Sequence, residues 1–145
     1  MERKTFLKTC GMACLGGGSL FALLLEGCAS GSKMVNGTIV ESNLQVPVSD
    51  FQTSNGHFHQ YLVVRHDQLR YPVCVYRFSE TSYTALYMRC PHQGAELQVF
   101  GDRLQCPAHG SEFNDKGVVK TGPADTNLRT FTTSINKDQL LISLK

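Results

Sequence analysis

Four side chains between residues 90 and 111 have the types and the spacing to hold a metal: Cys90 with His92, then Cys106 with His109. One residue separates the first pair, two separate the second, and thirteen lie between the pairs. Thiolate sulfur and imidazole nitrogen together suit zinc or an iron–sulfur cluster. A Cys₂His₂ zinc site is closed and acts as a structural staple; its common form joins a Cys-x₂₋₄-Cys pair to a His-x₃₋₅-His pair. Here each loop offers one cysteine and one histidine. A [2Fe–2S] cluster can use that arrangement, with the cysteines on one iron and the histidines on the other. Two ferric ions, two sulfides and two thiolates then sum to zero charge, against −2 for four thiolates. A neutral cluster accepts an electron more readily than a dianion, so histidine ligation raises the reduction potential.

The elements that position these ligands are short and β-rich. Five glycines (Gly94, Gly101, Gly110, Gly117, Gly122) and three prolines (Pro91, Pro107, Pro123) fall between residues 90 and 123. Such density means tight loops with special backbone angles. Leu97 to Phe100 and Arg103 to Gln105 flank Gly101-Asp102 and predict a hairpin that links the two ligand loops. Ser111-Glu112-Phe113, a turn at Asn114 to Gly117 and Val118-Val119 predict a second. Gly122-Pro123-Ala124 predicts a third loop. Upstream, strands are expected at Val35 to Val40, Leu44 to Val48, Gln60 to Arg65, Val73 to Phe78 and Tyr83 to Arg89, the last running straight into Cys90. Pro47 lacks a backbone donor and suggests an edge for its strand. Ser49 to Gly56 reads as loop. Leu128 to Thr133 and Leu140 to Leu144, around a turn at Asn136 to Asp138, should close the framework that the first strands begin.

The chain has 145 residues, 41% of them hydrophobic, enough for one globular core. Its net charge of +2 and the lack of a basic stripe point away from nucleic acid. No internal repeat is visible. The six cysteines do not form a disulfide framework. Cys10, Cys14 and Cys28 belong to an N-terminal apolar segment, Cys90 and Cys106 to the ligand pairs. Cys74, in the run Pro72 to Tyr76, reads as a buried small apolar residue. His57, His59 and His66 read as loop and turn histidines rather than a second metal site.

Residues 1–27 have the build of a signal peptide: a basic start, an apolar and small-residue run from Thr9 to Leu25, then Leu25-Glu26-Gly27-Cys28. The end of the segment resembles a bacterial lipobox, which implies that Cys28 becomes the lipidated first residue of the mature protein and residues 28–34 its linker. The start, Arg3-Lys4-Thr5-Phe6-Leu7-Lys8, resembles a twin-arginine export signal with Lys4 in place of the second arginine. An uncleaved anchor helix is the alternative. Both readings put the domain outside the cytoplasm, on a membrane, facing the periplasm. Acyl chains contribute about 0.8 kcal/mol per buried CH₂, so more than one holds a soluble domain firmly.

Cys90-Pro91-His92-Gln93-Gly94, Cys106-Pro107-Ala108-His109-Gly110-Ser111 and Gly122-Pro123-Ala124 resemble, in order, the three loops of Rieske [2Fe–2S] proteins. The resemblance implies an all-β fold over residues 35–145: a Rieske-type antiparallel β sandwich, barrel-like at its base, with a small inserted cluster-binding subdomain at about 88–124. It implies one [2Fe–2S] cluster per chain, with Cys90 and Cys106 on the inner iron and His92 and His109 on the outer iron near solvent. It also implies proton-coupled electron transfer through the free imidazole nitrogens, and potentials within the roughly −150 to +300 mV known for such centres. The spacer between the loops is slightly short for the family, which implies a trimmed hairpin. Respiratory members carry a disulfide between the ligand loops; Ala95 and Ala108 hold those positions here, as in ferredoxin-type members. Ser111 is retained as a hydrogen-bond donor to a cluster sulfide. Phe113 stands where a tyrosine would donate to a cysteine sulfur, so an intermediate potential is expected.

The expected function is one-electron transfer, by a membrane-anchored carrier or the Rieske subunit of a quinol- or cytochrome-linked or other periplasmic oxidoreductase. Its partners would be redox proteins or quinol, and membrane lipid through Cys28. A ferredoxin feeding an oxygenase, or a structural zinc module, are the alternatives. No nucleophile–base constellation or substrate pocket is legible, so a catalytic site of its own is not expected.

Overall fold

Three consecutive strands carry almost uninterrupted apolar runs, and the fold shows why: they are buried on both faces. These are β4 (Tyr61–Arg65), β5 (Val73–Arg77) and β6 (Tyr83–Tyr87). They form the middle of a five-stranded sheet in the order β1-β4-β5-β6-β11, with β1 at Lys33–Asn36 and β11 at Thr130–Phe131. Leu62, Val64, Val73, Val75 and Ala85 point to one side, where they meet Leu44, Val46, Phe51, Leu140 and Ile142. Val63, Cys74, Tyr76, Leu86 and Met88 point to the other, where they meet Leu97, Leu104, Phe113, Cys90 and Cys106. Alternation along a strand thus serves two cores instead of one core and solvent. The structure, a computed structural model, describes residues 33–145. The signal-peptide reading of 1–27, the lipid-attachment reading of Cys28 and all but the end of the 28–34 linker lie outside the described residues.

On the first side lies a four-stranded sheet in the order β12-β13-β3-β2, with β2 at Thr38–Val40, β3 at Asn43–Pro47, β12 at Thr133–Asn136 and β13 at Gln139–Ser143. On the second side a smaller sheet, β10-β9-β8-β7, carries the ligand loops, with β7 at Gln98–Phe100, β8 at Arg103–Gln105, β9 at Glu112–Asn114 and β10 at Val119–Thr121. All strand pairs are antiparallel except β1 with β4, which are parallel. The all-β sandwich with a small inserted sheet is therefore the architecture found, and no α-helix occurs among the described residues.

Two stretches read as single strands are each divided. The run 35–40 breaks at Gly37, and 128–133 breaks at Thr132. In both, the chain leaves the edge of the five-stranded sheet and becomes the edge of the four-stranded one, so the two sheets are joined at both margins by continuous chain. That is the barrel-like closure of the base. Gly37 is required at its crossing: a Cβ there would lie 2.6 Å from Leu44 Cδ1 and 2.9 Å from Val64 Cγ1. The edge position expected for Pro47 is also corrected, since β3 sits between β13 and β2. Yet β2 pairs only with Asn43 to Gln45, so at Pro47 that flank is open and the missing donor leaves no gap in a ladder. The expected loop after it contains a 3₁₀ turn, Val48–Phe51, which drives the Phe51 ring fully into the core.

Candidate metal centre

The two ligand loops are copies of one turn. Cys90 N–H donates to Ala95 O (2.8 Å) and Gly94 N–H returns to Cys90 O (2.8 Å). In the second loop Cys106 N–H donates to Ser111 O (2.8 Å) and Gly110 N–H returns to Cys106 O (2.9 Å). Each turn opens on Cys-Pro and closes on a glycine at positive φ, 77° for Gly94 and 80° for Gly110. An L side chain is strained at that angle, so glycine is needed at both positions. The β7–β8 hairpin holds the turns side by side. Its register, Gln98 opposite Gln105 and Phe100 opposite Arg103, leaves only Gly101-Asp102 at the tip. The buried Tyr76 hydroxyl fixes that tip by donating to Gly101 O at 3.0 Å.

Cys90 and Cys106 are 0% and 1% exposed, whereas His92 and His109 are both exposed. The imidazoles meet edge to face, with ring centroids 4.9 Å apart and planes at 89°. Both thiols belong to one buried cluster. Burial pushes the Cys90 thiol above its ordinary range; the N–H groups of His92 and Gln93, aimed at its sulfur, act the other way, and the Cys106 thiol adds to the rise. Amide dipoles aimed at sulfur favour thiolate, the form that binds metal. The donors thus form an inner sulfur pair and an outer nitrogen pair. Buried thiols at one end and exposed imidazoles at the other are a donor set that fits a two-metal centre with unlike ends.

Ser111 is the buried polar residue of the core. Its hydroxyl oxygen accepts the Ala124 N–H at 3.0 Å, tying the second ligand loop to the third loop, and its own O–H proton remains available to donate. Phe113 is fully buried in the core shared with both cysteines. Ala95 is half-buried and Ala108 exposed, and neither carries a thiol. Two supports carried no motif in the sequence. Tyr71, in the loop before β5, donates its hydroxyl to Gly94 O at 2.6 Å. Arg89 lays its guanidinium against Gly94, where an added Cβ would meet it at 3.3 Å. Arg89 directly precedes the first ligand loop in the chain, whereas Tyr71 reaches it from a distant loop; the one signal for Tyr71 is a tyrosine beside a proline.

The remaining cysteine and histidines fall elsewhere. Cys74 is fully buried in β5, and burial pushes its thiol far above the ordinary range. His57 is exposed, His59 half-buried, and His66 Nδ1 accepts the Gln68 N–H within its own turn (3.1 Å).

The sequence model of the Rieske [2Fe-2S] domain matches residues 43–132, more than half of the chain. Among curated proteins, the methylxanthine N1-demethylase NdmA of Pseudomonas putida is 42% identical over 48 residues, covering 31% of this chain and 14% of its own length. The cytochrome b6-f complex iron-sulfur subunit of Nostoc punctiforme is 30% identical over 56 residues, covering 37% of this chain and 31% of its own. The chain thus spans less than a third of the length of either relative. Among solved structures, a complex of reduced oxygenase and oxidized ferredoxin in carbazole 1,9a-dioxygenase aligns with a TM-score of 0.54 at 23% identity, over 73% of this chain and 96% of that one, which shows the shared fold. The match of family, fold and loop order makes the chain a member of the Rieske [2Fe-2S] domain family, an electron-transfer protein with a single [2Fe–2S] cluster.

Proposed function

We propose that Cys90 and Cys106 bind the inner iron of the cluster and His92 and His109 the outer iron, and that electrons enter and leave through the exposed imidazole face. The observation that carries this is the burial of both thiols beneath two exposed imidazoles on a pair of equivalent turns. When bound, the cluster takes up and gives back one electron. The chain's own part is to exclude water from the sulfur side with Leu97, Leu104 and Phe113, to aim N–H groups at Cys90, and to offer the Ser111 proton as a donor. Purified from cells supplied with iron, the full chain should be coloured and give an EPR signal only when reduced. Cys106→Ala and His109→Ala should each abolish both. A colourless protein with one zinc per chain would overturn this reading.

The domain is read as residues 35–145 of an exported lipoprotein, with 1–27 removed and Cys28 acylated. It would face the periplasm as a membrane-anchored carrier or as the Rieske subunit of an oxidoreductase whose donors and acceptors are quinol or redox proteins. The leader and the cysteine that follows it support this, and the family relation to a b6-f complex subunit is consistent with it. Labelled palmitate should be incorporated into the wild type and not into Cys28→Ser; incorporation into both would remove the anchor from the proposal. One observation favours the second reading, a carrier that feeds an oxygenase: Ala95 and Ala108 leave the ligand loops without a disulfide.

A further inference from the structure

Beside the first ligand loop lies a cleft of about 300 Å³ lined by Tyr87, Arg89, Pro91, Asn127, Leu128 and Arg129. Pro91 adjoins His92 in the chain, which places the cleft at the first ligand loop. Its two arginines are exposed. The ion pairs among the described residues use Lys33, Arg65 and Arg103, and leave Arg70, Arg89 and Arg129 free of carboxylate partners. These side chains are also held in place. Tyr71, Tyr87 and Phe131 form an edge-to-face row with centroids 5.6 and 5.7 Å apart. Arg70 caps one end over Tyr71 at 5.4 Å, and Arg129 caps the other over Phe131 at 4.8 Å. Arg89 lies against Gly94. Neither of the carboxylates close by lines the cleft: Asp125 belongs to the third loop, and Glu96, opposite Arg89 across a β-bridge, is held by Arg65 at 2.6 Å.

Guanidinium groups already stacked on aromatic rings give up little freedom when they bind, and their planar fork matches a carboxylate. A chain with a net charge of only +2 has nonetheless placed two arginines without carboxylate partners in one cleft beside the first ligand loop. We infer that this arginine-lined cleft is the docking surface for a redox partner protein that presents aspartate and glutamate side chains. The inference rests on the reading that electrons leave at the His92 and His109 face. The surface steers the partner's acidic patch to one side of His92 and so sets which partners come within transfer distance.

Inorganic oxidants of opposite charge test it. The reduced full-length holoprotein is mixed in stopped flow with hexacyanoferrate(III), which takes one electron to become hexacyanoferrate(II), and in parallel with tris(phenanthroline)cobalt(III), which becomes the cobalt(II) complex. The ratio of the two rates cancels any change in the protein's own potential. In the wild type the ratio should fall as salt rises, and in R89E/R129E it should be lower by about tenfold at low salt. Polyglutamate should slow the hexacyanoferrate reaction of the wild type and not of the variant. A ratio unmoved by substitution and salt, or no effect of polyglutamate, overturns the docking surface. So does binding of the Cys28→Ser protein to phosphatidylglycerol vesicles that is lost in R89E/R129E while the ratio stays put, which would make this a lipid-facing surface. A preparation without a reducible cluster would instead strike the underlying reading of the ligands, and the absorption spectrum separates the two failures.

Discussion

Replacing Ser111 with alanine separates two roles of one hydroxyl. The residue is fully buried, and its Oγ accepts the Ala124 N–H at 3.0 Å. On the function proposed above, its proton is offered to a sulfur of the cluster. A hydrogen bond to a charged group is worth about 1.5–3 kcal/mol. Only the part that strengthens on reduction moves the potential; taking that as about 1–2 kcal/mol, and 59 mV per tenfold for one electron, the potential of Ser111→Ala should drop by about 40–90 mV. The same substitution strips the Ala124 N–H of its acceptor inside the core, which should cost about 1–3 kcal/mol of stability. Protein-film voltammetry reads the first effect and denaturant unfolding of the holoprotein reads the second. Ser111→Thr keeps the hydroxyl and adds a methyl group at a fully buried position, at about 1–3 kcal/mol. It should therefore restore the potential without restoring stability. A fully loaded Ser111→Ala protein with the wild-type potential would refute the donor role, and equal recovery of both quantities in Ser111→Thr would show that the potential merely follows packing.

The other expectations rest on named contacts. Phe113→Tyr places a hydroxyl in the core shared with both ligand cysteines; voltammetry should show a potential higher than wild type by an amount like that lost in Ser111→Ala, at a stability cost of about 1–3 kcal/mol. Tyr71→Phe deletes the 2.6 Å bond to Gly94 O and should lower stability by about 1 kcal/mol; hydrogen exchange should speed up at the Gly94 amide and remain unchanged at Gly110. Gly37→Ala forces a methyl group to within 2.6 Å of Leu44 and 2.9 Å of Val64, both fully buried and unable to swing away, and should cost about 1–3 kcal/mol by denaturant unfolding while leaving the spectrum of the cluster intact.

The strands that pack on two cores announced themselves as β through continuous Val, Leu and Tyr, but their neighbours were not legible. A run such as Val73 to Tyr76 looks the same whether its second face meets another sheet or a small subdomain, because burial and not partner identity sets the composition. Gly37 was unreadable for a related reason. It lies in an apolar and polar alternation that suits one strand, and only the approach of Leu44 and Val64 reveals that the chain changes sheets there. Pro47 misled because a proline marks a missing donor, and a short neighbouring strand supplies the open flank as well as a true sheet edge does. Tyr71 reaches the first ligand loop through space, from a position that motif spacing does not probe, and Arg89, though it adjoins Cys90, shows its contact with Gly94 only once the turn is folded.

The ligand loops were legible because their chemistry is local, and the structure adds a meaning to their unequal spacing. Both are the same turn, with cysteine first and glycine fifth, closed by the same pair of backbone bonds. Matching spacings would put the two histidines at equivalent places in the two turns. Here His92 is third in its turn and His109 fourth in the other. The shift of one position accompanies imidazoles that meet edge to face at 4.9 Å while both cysteines are buried in one cluster. Moving the second histidine forward by exchange, Ala108→His with His109→Ala, keeps every residue type and both turns. If the offset sets the outer end of the site, that protein should fold with wild-type stability and fail to give the reduced EPR signal. A normal signal would show that the turns tolerate either position and that the one-and-two spacing carries no geometric information.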